Sequence, residues 1–217
     1  MLSDLTAGAL EDAARRRESI SYSDLENSID LSQPVLSGYE YLSPSSHIKI
    51  IAEIKRASPS KGALSAIEQP EQLARVYQDS GASAVSVLTE ERKFKGSLED
   101  LAAVRKAVSI PVLRKDFIAE EYQILEARAA GADIVLLIVA ALDQNVLQRL
   151  YDFSHSLGLA VLVETHTSDE VLRALEINTR LLGVNARDLT TFDLNRELFH
   201  EVVDLIPDGV IKVAESA

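Results

Sequence analysis

Seven side chains able to move protons or hold anions recur along the second three-quarters of the chain: Glu53 and Lys55, Lys115, Glu164, Asn185 and Arg187, and Glu215. Interleaved lysines and glutamates offset one another's cost of burial and shift one another's proton affinities. One site can thereby keep an acid and a base ready at neutral pH. Side chains two apart on a strand share a face, so Glu53 points with Lys55 and Asn185 with Arg187. The loop Arg56-Ala-Ser-Pro-Ser-Lys-Gly62 adds the Ser58 hydroxyl, the Lys61 cation and a hinge-like glycine, and reads as a lid over an anionic substrate. Each feature has a plainer alternative. Glu53 and Lys55 could be a solvated rim pair, Lys115 a surface lysine, Asn185 and Arg187 a helix cap, Glu215 a frayed end, and the loop a surface turn.

The elements that would position these residues decide between the two readings. From residue 47 onward, apolar runs at 47–54, 84–88, 111–113, 134–139, 160–163, 181–184 and 210–214 alternate with helical patterns such as 71–79, 98–108, 121–130 and 143–157. Gly81, Gly131 and Gly158 fall just past helix ends. Strand and helix in alternation predict a parallel sheet, and continuous apolar runs predict strands covered on both faces. Six of the seven runs end on functional groups: Glu53 and Lys55, Thr89 and Glu90, Lys115 and Asp116, Glu164, Asn185 and Arg187, Glu215 and Ser216. Only the fourth stays apolar. Strand ends converging on one locus predict a barrel rather than an open doubly wound sheet. The expected fold is therefore an α/β (β/α)8 TIM barrel, residues 47–217, behind an N-terminal helical extension, residues 1–46. In the extension, 3–19 reads as a helix capped by Ser3, and 21–46 as loops with one short helix.

Composition narrows the function classes. The 22 Lys+Arg against 34 Asp+Glu give a formal net charge of −12, which disfavours nucleic acid and anionic membrane surfaces as partners. An anionic small molecule then needs a local cationic cluster, and Lys55, Lys61, Lys115 and Arg187 supply one. There is no cysteine, the four histidines show no metal-ligand spacing, and no nucleotide-binding glycine fingerprint occurs, so neither metal nor cofactor is expected. With no secretory signal and no membrane-length apolar run, a cytoplasmic location is expected. His166, two residues past Glu164, reads as non-catalytic, and Phe94, Phe117 and Tyr122 are candidates for an aromatic wall.

These motifs carry a family resemblance. Ile51-Ala-Glu-Ile-Lys-Arg-Ala-Ser-Pro-Ser-Lys-Gly62 resembles the first-strand signature of indole-3-glycerol-phosphate synthases. Ser86-Val-Leu-Thr-Glu90, Phe94-Lys-Gly-Ser97, Pro111-Val-Leu-Arg-Lys-Asp-Phe117, Glu126-Ala-Arg-Ala-Ala-Gly-Ala-Asp133, Leu162-Val-Glu-Thr-His166, Gly183-Val-Asn-Ala-Arg-Asp-Leu189 and Ala214-Glu-Ser216 follow in family order. The resemblance implies closure of an indole ring on 1-(2-carboxyphenylamino)-1-deoxyribulose 5-phosphate, with loss of CO2 and water. It implies Lys115 as the general acid of ring closure, Glu164 as base or hydroxyl ligand, and Lys55 as an anion-holding lysine and second acid. It further implies Glu53 and Asn185 as orienting groups, Arg187 as the carboxylate or phosphate ligand, Ser216 beside the phosphate, and the N-terminal helix over the barrel mouth.

The sequence stops at Ala217, where the family continues with a glycine and an eighth βα unit. The expectation is a barrel truncated after strand seven, with weakened substrate binding, lowered stability and possible self-association through open edges. Two other readings stay open: an inactive barrel fragment needing a complementing chain, and another phosphate-sugar barrel such as phosphoribosylanthranilate isomerase.

Overall fold

The structure, a computed structural model, describes residues 1–59, 61–187 and 193–216. Ser60 of the lid motif, Asp188 and Leu189 of the sixth strand motif, and Ala217 lie outside the described residues. Three helices come first: α1 (Leu2–Ser19), α2 (Tyr22–Ser28) and α3 (Gly38–Leu42). Strand β1 (Ile51–Ile54) is followed by a small antiparallel hairpin, β2 (Ala57–Ser58) with β3 (Gly62–Ala63). Helix α4 (Pro70–Asp79) then leads to β4 (Ala84–Leu88), α5 (Leu98–Ala107), β5 (Val112–Lys115), α6 (Glu121–Ala129) and β6 (Ile134–Ile138). The chain continues through α7 (Gln144–Ser156), β7 (Ala160–Thr165), α8 (Ser168–Glu176), β8 (Leu181–Asn185), α9 (Leu198–Val202) and β9 (Ile211–Glu215).

Apart from the hairpin, the strands form one parallel sheet in the order β1-β4-β5-β6-β7-β8-β9. No strand order reverses, so there is no switch point. The sheet rolls in one direction and stays open between β1 and β9. This is the barrel-type α/β fold expected, with seven strands among the described residues.

Local signals set the helices in place. Ser97 and Thr167 accept the backbone N–H groups of Asp100 and Glu170 and so cap α5 and α8, and Pro70 occupies the first turn of α4. Gly81 and Gly131 leave α4 and α6 at φ of 94° and 88°, a region L side chains avoid.

Strand alternation sorts the core into two layers. Val85, Val87, Val112, Val135, Leu137, Val161, Val163 and Leu182 face outward under the helices. Leu113, Ile134, Leu136, Ile138, Ala160, Leu162 and Leu181 fill the interior. The N-terminal helices close both ends of that interior. At the strands' C-terminal ends, Leu2, Leu5 and Ala9 of α1 join Phe94, Phe117 and Ile138. The apolar end of the fourth strand in the sheet thus has a partner. At the opposite end Tyr39 and Leu42 of α3 form a floor, where the Tyr39 hydroxyl accepts the N–H of Val161 at 3.1 Å. A Cβ on Gly38 would stand 2.6 Å from Ile134, so only glycine lets α3 approach this closely.

Several local expectations need correction. Met1, not Ser3, is the N-cap of α1, and it makes no side-chain cap. Residues 21–46 hold two short helices rather than one. The lid loop carries the β2–β3 hairpin. Lys115 and Glu164 lie inside β5 and β7 rather than just beyond them, which fixes their direction by register.

Candidate active site

Glu53, Lys115, Glu164, Asn185 and Glu215 occupy inward positions on five strands, and Lys55 continues the inward face of β1 one position beyond it. With Ser58 and Lys61 of the hairpin, and Arg187 and Ser216 past β8 and β9, they line one cavity of about 780 Å³ at the strands' C-terminal ends. All ten sequence-predicted site residues therefore meet in one place. So do the four cations of the expected cluster.

Lys115 is the hub. Its Nζ lies 2.5 Å from Glu215 Oε2, 3.3 Å from Glu164 Oε2 and 3.9 Å from Glu53 Oε2. Glu53 also pairs through Oε1 with Lys55, so it bridges the two lysines. Asn185 donates to Glu164 Oε1 at 3.1 Å, and its own Oδ1 accepts the backbone N–H of Arg187 at 3.1 Å.

Burial works against the charge on Lys115, but Glu215, Glu164 and Glu53 outweigh it and hold the lysine's pKa above its ordinary range. Burial likewise opposes the charge on Glu164, yet Lys115, His166 and Asn185 keep its pKa well below the usual carboxylate range. Glu215 goes the other way: burial, reinforced by the Glu164 charge, pushes it up to about 7 against the pull of Lys115. The two carboxylates around one ammonium thus have proton affinities driven apart, with Glu164 the more readily ionised.

Other strand-end polar groups are structural. Thr89 and Asp116 bind each other and the buried Arg114. The Glu90 carboxylate accepts the N–H groups of Arg92, Lys93 and Phe94, shaping the turn after β4. Phe94 and Phe117 do form an aromatic wall of the cavity, with ring centroids 6.0 Å apart. Tyr122 does not join them. It packs under α1, and its hydroxyl donates to the Ile20 carbonyl at 2.8 Å.

One further contributor carries no functional side chain of its own. Gly183 sits on the inward face of β8 beside Glu164 and Asn185, and a Cβ there would collide with Glu215 Oε1. A glycine inside an otherwise apolar strand is the signal, because it marks a close approach. His166, read as non-catalytic, lies 3.2 Å from Glu164 Oε1. Gly183→Ala should displace Glu215 from Lys115 and lower kcat/KM on the order of tenfold or more, with a smaller change in melting temperature. Unchanged kinetics would show that the Glu215 position is not critical.

Comparison with known proteins follows the same line. The family model for indole-3-glycerol phosphate synthase matches residues 2–217. The chain is 57% identical over 217 residues to the indole-3-glycerol phosphate synthase of Leifsonia xyli subsp. xyli, covering 100% of this chain and 84% of that protein. It is 50% identical over 216 residues to that of Mycobacterium tuberculosis, covering 79% of the relative. Among solved structures, N-acetylmannosamine-6-phosphate 2-epimerase from Clostridium perfringens aligns with a TM-score of 0.59 at 12% identity. That alignment spans 79% of this chain and 82% of the other, and it supports the barrel-type fold alone.

Proposed function

Because the chain belongs to the indole-3-glycerol phosphate synthase family, we propose that its cavity residues divide the family's chemistry in the following way. The enzyme is a carboxy-lyase of tryptophan biosynthesis acting on 1-(2-carboxyphenylamino)-1-deoxyribulose 5-phosphate. The ring carbon bearing the carboxylate attacks the ketone carbon, and the carbonyl oxygen takes a proton. The carboxylate leaves as CO2, its electron pair restoring the aromatic ring. The new hydroxyl then departs as water and the methylene carbon beside the nitrogen loses a proton, so that the ring double bond forms with the N–H retained, giving indole-3-glycerol phosphate.

The single observation that carries the assignment is Lys115 within 3.3 Å of both Glu215 and Glu164. An ammonium held in its charged form carries a proton for the carbonyl oxygen as negative charge develops there. Glu164, held ionised, accepts from the new hydroxyl and serves as base. Lys55, joined to Glu53, is the second acid, donating to the departing hydroxyl. Glu53 and Asn185 orient the substrate, and Glu215 sets the charge and direction of Lys115. Phe94 and Phe117 pack against the aromatic ring. Arg187, Lys61, Ser58 and Ser216 bind the carboxylate and phosphate, for which a planar guanidinium is well matched.

Residues 1–46 serve as the extension and 47–217 as the barrel. The biosynthetic role supports a cytoplasmic location; no helix among the described residues is long and apolar enough to cross a membrane. The edges of β1 and β9, beside the exposed Ile48 and Ile50, support self-association of this chain through those strands where nothing else pairs with them.

The anion-binding assignment is tested by steady-state kinetics of Arg187→Gln, following indole fluorescence. Losing a charge-assisted pair worth about 1.5–3 kcal/mol should raise KM roughly 10- to 100-fold, with kcat changed far less. An unaltered KM would remove Arg187 from the substrate.

A further inference from the structure

Glu164 ends an inward-facing row, and the residue behind it has no part in the roles above. His166 follows β7 and stands between two carboxylates, its Nε2 3.2 Å from Glu164 Oε1 and its Nδ1 3.2 Å from Glu170 Oε2. All three side chains are shielded: His166 is 8% exposed, Glu164 3% and Glu170 15%. Part of this arrangement belongs to helix capping, since Glu170 also accepts the backbone N–H of His166 at 2.8 Å while Thr167 caps α8. Capping accounts for Glu170. It does not account for the imidazole Nε2, which is buried without a hydrogen bond among the described residues and lies within ion-pair distance of the Glu164 carboxylate.

From this geometry we infer that His166 is a positioning residue. Anchored by Glu170 at the start of α8, its imidazolium fixes the orientation of Glu164 and keeps it ionised while Lys115 changes partners during the reaction. The inference rests on the role proposed for Glu164. Among the described residues, the charged and polar groups facing the pair come from four elements. Lys115 from β5 lies at Glu164 Oε2, Glu215 from β9 lies across Lys115, Asn185 from β8 donates to Oε1, and Glu170 holds the far side of the ring. When substrate draws the Lys115 ammonium toward the carbonyl oxygen, His166 is the cation that stays with Glu164. Burial disfavours a charged imidazole here, but Glu164 and Glu170 prevail and raise its pKa to about 9.

The test uses the full 217-residue chain. Histidine Cε1 resonances are titrated by NMR in the wild type, with His166 assigned by its absence in His166→Gln. Kinetic pH profiles are recorded for wild type, His166→Gln and Glu170→Gln; glutamine at 170 can still accept the capping N–H. The expected result is a His166 signal that stays protonated through neutrality. In His166→Gln, kcat should fall about tenfold with KM nearly unchanged, and the acid limb should move up by about one unit or more. Glu170→Gln should fall between the two. A His166 that titrates at or below 6.5, the ordinary histidine value, or a His166→Gln profile superimposed on the wild type, overturns the inference. The NMR titration does not depend on turnover, so a failure of the wild-type enzyme reading would be seen separately, as absence of product.

Discussion

Lys115→Met lowers kcat/KM by about 10³-fold or more, with the loss mainly in kcat. Two effects combine. The variant removes the proton donor proposed for the carbonyl oxygen, a contribution of roughly 10²- to 10⁴-fold for a positioned general acid. It also removes the cation that Glu53, Glu164 and Glu215 share. Without it the carboxylates repel one another and take up protons, so Glu164 ceases to be a free base near neutrality. Methionine keeps most of the side-chain volume, and the interior apolar layer below it, Leu113, Leu136 and Leu162, is untouched. Folding should therefore survive, as a wild-type far-UV spectrum would show. If Lys115→Met kept more than about a tenth of the wild-type rate, Lys115 could not be the ring-closing acid.

Arg114→Leu has the largest expected effect on stability, about 3–5 kcal/mol by denaturant titration. Lys115 and Arg114 are neighbours on β5 but face opposite ways, one into the cavity and one under α6. The Arg114 guanidinium is fully buried. It reaches Thr89 Oγ1 at 3.1 Å, Asp116 Oδ2 at 2.9 Å, the Gln123 carbonyl at 2.5 Å and Glu126 Oε2 at 3.4 Å. Glu126 also binds Arg16 of α1, at 2.5 Å and 3.0 Å, so one chain of charges ties the N-terminal helix to the strand that bears Lys115. Leucine fits the apolar surroundings but leaves Asp116, among the described residues, with only the Thr89 hydroxyl and the Phe117 N–H as hydrogen-bond donors. An uncompensated buried carboxylate is the costly outcome. Arg114→Leu combined with Asp116→Asn should recover part of the loss, because the stranded charge is gone. A single variant as stable as the wild type would show that the cluster contributes nothing net.

Much of this site could be read in the sequence, for a physical reason. A barrel strand must be apolar where it is packed and polar where it meets the mouth, so runs that end on Lys115, Glu164 or Glu215 mark themselves. The period of two then gives the facing of Glu53 with Lys55 and of Asn185 with Arg187 before any fold is known. Features fixed by partners distant in sequence could not be read that way. The floor formed by α3 depends on Gly38 meeting Ile134, across almost a hundred residues, and nothing local announces it. Tyr122 is placed by the N-terminal segment, its hydroxyl on the Ile20 carbonyl and its ring under Arg17, and nothing local in the sequence marks that interface. An isolated histidine past a strand end, such as His166, carries no local signal of a role. Its meaning comes from Glu170 returning on the first turn of α8. Strand ends also drifted: Lys115 and Glu164 fall within β5 and β7, because polar side chains at the mouth do not interrupt backbone pairing.

Closure of an indole ring with decarboxylation at the Lys115–Glu164–Glu215 site can be followed by its two products. The most direct measurement incubates the purified chain with carboxyl-labelled 1-(2-carboxyphenylamino)-1-deoxyribulose 5-phosphate and follows CO2 release and indole fluorescence together, with Lys115→Met in parallel. Both signals should rise in equal molar amounts in the wild type and nearly vanish in the variant. Indole formation that persists without Lys115, or a wild-type chain that yields neither product, would contradict this reaction at this site.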